Sequence, residues 1–284
     1  MITENAHAKI NLSLDVCSRR PDGYHEVSMI MQTIELHDVL TFEKIDEDRI
    51  LLSTDSDMLT DMDKNLVSKA AGAFKKRFNI EEGVKAHLQK NIPIAAGLAG
   101  GSADAAATLR ALNELFEVHA EIDELCDIAA GIGADVPFCV RGGTMHAGGI
   151  GEKLTPVAHR IKAYCLLVKP DFPVPTAFVY NNLVLDAFTE HPDINAGIKA
   201  VENGSLEDLA RVAGNVLETV TCAHHPELED IKKKMLELGA GMALMSGSGP
   251  TVFGLFKEHE TCKAAYEAFN TGDYASRVIM TNLM

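Results

Sequence analysis

The sequence lacks the cysteine patterns that would place it among disulfide-rich or metal-binding proteins. Its six cysteines include no Cys-x-x-Cys pair and no spacing typical of a metal site. Several lie in apolar runs, as Cys165 does in AYCLLV. We therefore expect reduced, buried thiols of the kind found in cytosolic proteins.

Segments that direct a chain to a membrane are also missing. The first residues carry no charged stretch followed by an apolar one, and no apolar run approaches the length needed to span a bilayer. Internal repeats and low-complexity tracts are absent as well. These absences predict a cytoplasmic protein without a membrane partner.

Positive charge is scarce. Lys and Arg number 26 against 41 Asp and Glu, so the formal net charge is −15. Such a chain offers no sequence-wide positive field to a nucleic acid or an anionic membrane, and we expect neither as a partner. A polyanionic ligand would instead be held by backbone N–H groups, a few lysines and a metal ion. With 284 residues, 46% of them hydrophobic, the chain has room for a sizeable core in about two domains.

One glycine-rich stretch organises the rest of the sequence: PIAAGLAGGSADAAATL, residues 93–109. Its glycines at 97, 100 and 101 permit tight turns, and an alanine-rich run with helical period follows them. Ser102 is the predicted N-cap of that helix, whose first-turn N–H groups would face the glycines. Such a helix N-terminus binds phosphate, although a glycine-rich turn before a core helix fits this stretch alone equally well.

Strict alternation over residues 6–16 predicts a half-buried strand with Lys9 and Asn11 on its polar face. Taken alone, such a lysine is most often a solvated charge. The following stretch, 19–27, is a predicted turn because of its Pro-Asp-Gly. Tyr24 and His25 after it are either ordinary loop residues or two rings that grip a flat polar heterocycle.

Periodicity predicts the remaining elements of the first half: two strands within 29–42 that turn at His37-Asp38, a helix over 65–78, a strand over 84–89 and a helix over 122–132. Asp135 lies between a glycine turn and Val136-Pro137. It is either the N-cap of a short turn or an ionised group held in a protected cleft.

We place a domain boundary near residue 155, which gives an N-terminal domain of 1–155 and a C-terminal domain of 156–284. The second domain is a predicted α+β layer in which helices cover one face of an antiparallel sheet. Its strands are expected over 163–168, 242–245, 251–256 and 277–281, and its helices over 193–202, 205–218, 226–238 and 259–269. A second glycine-rich turn, SGSGP at 246–250, suggests a second wall of one cleft.

Four stretches together resemble the motifs of the GHMP family of small-molecule kinases, in the order in which that family carries them. They are AKINL at 8–12, PIAAGLAGGSADAAATL at 93–109, GADVPF at 133–138 and SGSGPTVFGLF at 246–256. The resemblance covers essentially the whole chain. It implies an α+β, two-domain GHMP kinase fold with a ribosomal-S5-domain-2-like first half, a ferredoxin-like second half and the active site in the cleft between them.

The resemblance also implies a chemistry, the phosphorylation of an alcohol by MgATP. Asp135 matches the catalytic aspartate of the family, which would accept the hydroxyl proton, and Lys9 matches its partner lysine. No Gly-Lys-Ser/Thr is present, so the glycine-rich stretch is not a P-loop. The magnesium ligand is not identified, with Ser102 as the remaining candidate. The residues expected to contact ATP are Pro93, Ala95, Ala96, Gly97, Leu98, Ala99, Gly100, Gly101, Ser102, Ala103, Lys90 and Asn65.

The stretch RRPDGYHE at 19–26 narrows the resemblance to members whose small-molecule substrate bears a cytidine diphosphate group, in the non-mevalonate isoprenoid route. Tyr24 and Phe178 match a pair of rings that sandwich cytosine, and His25 matches the residue that reads its edge. The other expected substrate contacts are Asn11, Gly247, Ser248, Gly249 and Thr251.

The chain departs from the family pattern in its glycine-rich stretch. Alanines stand at 95, 96 and 99, where glycines are common, and Ala103 replaces a serine that could contact phosphate or magnesium. Two alternatives remain open, another alcohol kinase of this family and a non-catalytic ligand-binding relative. We expect a monomer or a weak homodimer.

Overall fold

The computed structural model describes residues 1–186, 189–271 and 277–284. Contacts group the chain into two compact units, which we call unit 1 and unit 2. Unit 1 comprises 1–8, 36–94 and 99–142, and unit 2 comprises 9–35, 95–98 and 143–284. Both units therefore draw on the first 155 residues, and the division of the sequence at residue 155 stays a prediction.

Two long strands open the chain and shorter ones follow. In order they are β1 (Ile2–Arg19), β2 (His25–Ile45), β3 (Ile50–Thr54), β4 (Gly83–Gln89), β5 (Thr144–Gly148), β6 (Lys153–Pro156), β7 (Tyr164–Lys169), β8 (Met242–Met245), β9 (Val252–Phe256) and β10 (Arg277–Asn282).

The helices lie mainly between the shorter strands. They are α1 (Leu66–Phe78), α2 (Gly100–Leu115), α3 (Ile122–Ala130), α4 (Val136–Arg141), α5 (Thr176–Asn182), α6 (Ile194–Asn203), α7 (Leu206–Val212), α8 (Glu218–His224), α9 (Glu227–Glu237) and α10 (His259–Asn270). Most lie within a few residues of the positions that periodicity predicts.

Unit 1 is a sheet covered by helices. The second part of β2 pairs antiparallel with β4, and β4 pairs parallel with β3. Helices α1 and α2 pack together, and α4 packs on both α2 and α3. Phe42 of β2 and Phe74 of α1 are fully buried in the core of this unit.

Unit 2 contains a four-stranded antiparallel sheet in the order β10-β7-β9-β8. Helix α9 packs on β8 and β9, and α10 packs on β7, β9 and β10. All five residues of β9 are buried, so this strand forms the centre of the core. In the same unit the first part of β2 pairs with β5, and β5 pairs with β6.

The prediction of two strands that turn at His37-Asp38 is wrong, because β2 continues without interruption from His25 to Ile45. Asp38 is fully buried within this strand. Its carboxylate accepts hydrogen bonds from the backbone N–H groups of Asn91 and Ile92. The turn prediction assumed that this acidic residue is solvated. Here the two buried N–H groups take the place of water as hydrogen-bond donors to the carboxylate.

The predicted polar face of the first strand is likewise wrong, since β1 is buried on both faces along 8–14. Lys9, Asn11 and Ser13 are at most 4% exposed. Alternation therefore predicted the strand correctly. It did not indicate that the three polar side chains on it are buried.

The single helix predicted over 205–218 is also wrong: α7 ends at Val212 and α8 begins at Glu218. Asn215, between them, is buried and donates from its side-chain amide to the carbonyls of Met245 and Gly247, each at 2.8 Å. Its side-chain oxygen accepts the N–H of Leu217 at 3.0 Å. These three hydrogen bonds compensate for the helical hydrogen bonds that are lost between α7 and α8.

All six cysteines are free. Cys165, Cys222 and Cys262 are buried and Cys17 is exposed, so the expected burial holds for only part of the set. No helix in the described ranges combines the length and the apolar character needed to cross a bilayer.

Replacing Asn215 tests how far this residue stabilises unit 2. Asn215→Ala leaves buried carbonyl and N–H groups without partners, so we expect the free energy of unfolding to fall by about 3 kcal/mol. Urea denaturation measures the change. Asn203→Ala, the same substitution at an exposed position, is the control and should change stability by no more than about 0.5 kcal/mol. Equal effects of the two substitutions would contradict this role of Asn215.

Candidate active site

The glycine-rich stretch ends in the N-terminus of α2, as predicted, but the cap differs. The helix begins at Gly100 and its N-cap is Ala99, which has no capping side chain, so the assignment of Ser102 as N-cap is wrong. Ser102 lies two residues inside the helix. The N–H groups of the first turn have no intrahelical acceptors, so this helix start is suited to an anion.

Left-handed backbone conformations shape the chain just before α2. Ala95, Gly97 and Ala99 have φ values of 52°, 74° and 55°. A Cβ on Gly97 would lie 2.1 Å from the carbonyl oxygen of Ser246, so only glycine fits there. The alanines at 95 and 99 adopt a conformation that costs about 1–2 kcal/mol each relative to the right-handed one. Two of the departures from the family pattern thus fall where the backbone favours glycine.

A buried polar cluster in unit 2 joins residues from three of the recognised motifs. The Nζ atom of Lys9 donates to Oδ1 of Asn11 at 2.7 Å and to the carbonyl of Gly97 at 3.3 Å. Ser246 donates its hydroxyl to the same carbonyl at 3.0 Å. The structure therefore brings together Lys9, Asn11 and the second glycine-rich turn, as the sequence predicts for parts of one site.

That second turn, 246–250, is held by side chains from several elements of unit 2. The Thr176 and Ser248 hydroxyl groups lie 2.9 Å apart. Thr221 donates to the carbonyl of Ser248 at 3.2 Å. Gly247 and Gly249 have φ values of 57° and 88°. Thr251, which follows the turn, is fully buried.

Asp135 lies in unit 1 immediately before α4. It is half-buried, and its side chain does not cap the helix. Asn65 does act as a cap: it accepts the N–H of Val67 at 2.9 Å at the start of α1. A contact between Asn65 and ATP stays a prediction.

Lys90 is the centre of a buried ion cluster in unit 1. Its Nζ atom donates to carboxylate oxygens of Asp38 and, at 2.8 Å, of Asp104. Burial raises the pKa of Asp104 to about 8, an effect that the Lys90 charge reduces and the Asp38 charge reinforces. Burial opposes the charge of Lys90, but the two carboxylates raise its pKa overall. The expected contact of Lys90 with ATP stays a prediction.

The residues expected around a base lie at the surface of unit 2. Tyr24 is 61% exposed and Phe178, on α5, is 41% exposed. Phe178 makes an edge contact with His224, with centroids 5.1 Å apart. The ring of His25 lies 5.2 Å from that of Tyr180 on the same helix α5.

Sequence reasoning missed several residues that organise the site. Asp38 and Asp104 hold Lys90, Asn215 and Thr176 hold the second glycine-rich turn, and Tyr180 contacts His25. A signal was present for Asp38 and Asp104, since each is an acid within an apolar element. No comparable signal marks Asn215 or Thr176.

Comparison with known proteins first shows the family to which this chain belongs. The model of the GHMP kinases N terminal domain matches residues 65–143, and that of the GHMP kinases C terminal domain matches 198–275. The chain belongs to the GHMP kinase family, and the predicted α+β GHMP kinase fold is confirmed. Membership implies ATP-dependent phosphoryl transfer to a small molecule.

Within the family, two similar curated proteins carry the same name. A 4-diphosphocytidyl-2-C-methyl-D-erythritol kinase of Lachnoclostridium phytofermentans is 46% identical over 99% of this chain and 97% of that protein. The protein of the same name from Enterococcus faecalis is 48% identical over 93% of each chain. A crystal structure of 4-(cytidine 5'-diphospho)-2C-methyl-D-erythritol kinase superposes with a TM-score of 0.85 at 32% identity over 99% of both chains.

The raised pKa of Asp104 predicts a pH-dependent difference in stability. Between the unfolded pKa near 4 and the folded pKa of about 8, the folded protein binds the extra proton, so its stability falls as pH rises through this interval. Asp104→Asn removes the titration. We expect the free energy of unfolding of the variant, relative to the parent protein, to increase by about 2–4 kcal/mol between pH 5 and pH 8.5.

Urea denaturation at the two pH values measures this difference. Asp63→Asn, the same substitution at an exposed position, is the control and should change stability by no more than about 0.5 kcal/mol. A stability difference for Asp104→Asn that stays constant across the interval would show that Asp104 does not carry the extra proton.

Proposed function

We propose that this protein transfers the γ-phosphoryl group of ATP to the 2-hydroxyl of 4-diphosphocytidyl-2-C-methyl-D-erythritol, which gives the 2-phosphate and ADP. The observation that carries the proposal is the common name of relatives 46–48% identical over nearly the whole chain. The product would enter the non-mevalonate isoprenoid route. We further propose that the protein acts in the cytoplasm, where ATP is supplied.

The start of α2 is suited to hold the triphosphate. First-turn N–H groups and the positive end of the helix dipole attract phosphate oxygens, which supplies the local positive potential that a chain of net charge −15 otherwise lacks. The absence of side chains on Gly100 and Gly101 lets phosphate approach the backbone. Phosphoryl transfer depends mainly on such positioning and on charge neutralisation.

Lys9, Asn11 and Asp135 would act on the accepting hydroxyl. Asp135 accepts its proton as the bond to phosphorus forms, the role of a general base. Lys9 stabilises the negative charge on the oxygen, and its hydrogen bonds to Asn11 and Gly97 fix the direction of its long side chain. Asn11 would orient the substrate beside the reacting group.

Magnesium fits the chemistry of the residues at the start of α2. Its usual environment combines phosphate oxygens, water and one or two protein oxygen ligands. The Ser102 hydroxyl, half-buried in the first turn of α2, would be such a ligand. When bound, the ion neutralises charge on the transferring phosphoryl group.

The cytosine end of the substrate would lie between Tyr24 and Phe178. Burial and the charge of Arg19 lower the pKa of His25 below its ordinary value, so its ring is neutral at pH 7. A neutral imidazole offers one donor and one acceptor, which suits the mixed donor and acceptor edge of cytosine.

A direct assay tests the reaction. Purified protein is mixed with MgATP and 4-diphosphocytidyl-2-C-methyl-D-erythritol, and ADP release is followed against a control without the alcohol. ADP that depends on the alcohol, with phosphate on its 2-hydroxyl, is the expected result. ADP with another alcohol of a substrate panel would favour a different alcohol kinase. Folded protein that is inactive with every alcohol would favour a ligand-binding relative.

Replacing Asp135 tests the base. Asp135→Asn retains the shape but loses the proton acceptor, so we expect kcat to fall at least about 100-fold. The affinity for ATP, measured by calorimetry, should change by less than about threefold, because the variant loses only an interaction made during transfer. The control is Asp127→Asn at an exposed position, which should retain full turnover. A kcat for Asp135→Asn within a factor of three of the parent value would disprove the role.

Removing either ring tests the cytosine sandwich. We expect Tyr24→Ala and Phe178→Ala each to raise KM for the cytidyl substrate about tenfold, because stacking on an aromatic ring is worth about 1–3 kcal/mol per base. KM for ATP should not change. Since both rings are exposed, the melting temperature should stay within about 2 °C. Ile122→Ala, at another exposed apolar residue, is the control, and a KM that neither ring substitution changes would rule out the sandwich.

A further inference from the structure

Two carboxylates and one ammonium group form a buried cluster in unit 1, which we call the Asp38–Lys90–Asp104 cluster. The side chains of Asp38, Lys90 and Asp104 are 0%, 8% and 3% exposed. Lys90 donates to both carboxylates. The three residues come from β2, from the chain just after β4 and from the first turns of α2.

On one side, the cluster fixes the chain that enters the segment 93–99. Asp38 accepts the backbone N–H groups of Asn91 at 2.5 Å and of Ile92 at 2.8 Å. The side chain of Asn91 adds a hydrogen bond to the carbonyl of His37 at 2.9 Å. The last residues before Pro93 are therefore tied to β2 by both backbone and side-chain groups.

On the other side, the cluster reaches the helix that leaves the same segment. Lys90 donates to Asp104 at 2.8 Å, one turn into α2. A Cβ on Gly100 would lie 3.1 Å from Cγ2 of Ile92 and 3.4 Å from Nζ of Lys90, so the two ends of the segment pack closely. Lys90, which lies in the chain that leads to Pro93, is thereby linked to the helix whose N-terminus faces the predicted phosphate site.

Stability alone does not account for this arrangement. A buried ion cluster is often no more stabilising than apolar residues of similar volume. One oxygen of Asp104, Oδ1, is buried without a hydrogen-bond partner among the described residues, and such a group is unfavourable. Buried ionic groups that bring little net stability can instead fix one local arrangement of the chain.

We propose that the Asp38–Lys90–Asp104 cluster positions the two ends of the segment 93–99, and that this position sets the affinity of the α2 N-terminus for the triphosphate of ATP. Asp38 and Asp104 are positioning residues in this proposal and do not touch the substrates. The inference rests on the use of ATP in the proposed function and goes beyond it by assigning a role to two residues outside the recognised contact set.

Substitutions at Asp104 distinguish the hydrogen bond between Lys90 and residue 104 from the ionisable carboxyl group that makes it. Asp104→Ala removes the acceptor of Lys90 while Asp38 still pairs with the lysine. Asp104→Asn keeps a side-chain oxygen for Lys90 and removes the titratable carboxyl group. We expect Asp104→Ala to weaken ATP binding and to raise KM for ATP, each by about tenfold or more, because small misplacements of a binding group have large effects. The kcat at saturating ATP and KM for the cytidyl substrate should stay within about threefold, and Asp104→Asn should restore most of the ATP affinity.

The matched control is Asp48→Ala, which removes the carboxylate partner of another buried lysine in unit 1, Lys75 of α1. It should lower the melting temperature without changing ATP affinity. If Asp104→Ala does not fold, Asp104→Leu, which fills the same space without an acceptor, replaces it. Affinity is measured by calorimetry with MgATP in the absence of the alcohol, well below each melting temperature.

The outcomes separate this inference from the proposed function. Parent protein that binds ATP but phosphorylates no cytidyl substrate would overturn the function and leave the binding comparison valid. Parent protein that binds no ATP would overturn both. Unchanged ATP affinity in Asp104→Ala, or an equal loss in Asp48→Ala, would overturn the positioning role. An equal loss in Asp104→Asn would also overturn it, since keeping an oxygen for Lys90 would then fail to preserve the affinity.

Discussion

The left-handed backbone between Pro93 and Gly100 is the constraint on which the candidate site depends. It turns the chain so that α2 begins with N–H groups that have no acceptor in the helix. Gly97 brings its carbonyl within reach of both Lys9 and Ser246, so the same turn holds the lysine that matches the motif of the family. One local conformation thus sets both the start of α2 and the position of the carbonyl that Lys9 contacts.

Buried polar side chains with hydrogen-bond partners are a second feature of the structure. Lys9, Asn11 and Asn215 lie in the interior of unit 2 and are held there by hydrogen bonds to side chains or carbonyls. Each polar group that is removed from water needs such a partner, and the partners come from distant parts of the sequence. These side chains have few alternative conformations, as a site that relies on alignment requires.

Local patterns predicted much of this fold, and long-range contacts account for what they missed. Period-two alternation predicted β1, and helical period predicted α1 and α3 close to their observed bounds. Both patterns are local, since they depend only on residues near one another in the sequence. The strand through His37-Asp38 and the break at Asn215 were missed. In both, a polar residue is satisfied by groups far away in the sequence, which no local window records.

The site was recognised from motifs rather than from single residues. Lys9 alone looked like a solvated charge, and its assignment came from its place in AKINL among three other motifs. The cluster around Lys90 was beyond reach, because nothing local indicates that the carboxylates at 38 and 104 converge on one lysine. Motifs predict which groups would meet a ligand, whereas the groups that hold them in place are found only from the three-dimensional structure.

The burial of the cysteines has a consequence for the redox chemistry of the chain. Burial raises the pKa of the Cys126, Cys165, Cys222 and Cys262 thiols, that of Cys262 to about 11. Cys17 is more accessible, yet partial burial and the carboxylates of Asp15 and Glu26 raise its pKa as well. Thiolate is the reactive form, so these five sulfurs hold little of it at neutral pH. They therefore react slowly with peroxide, alkylating reagents and disulfides.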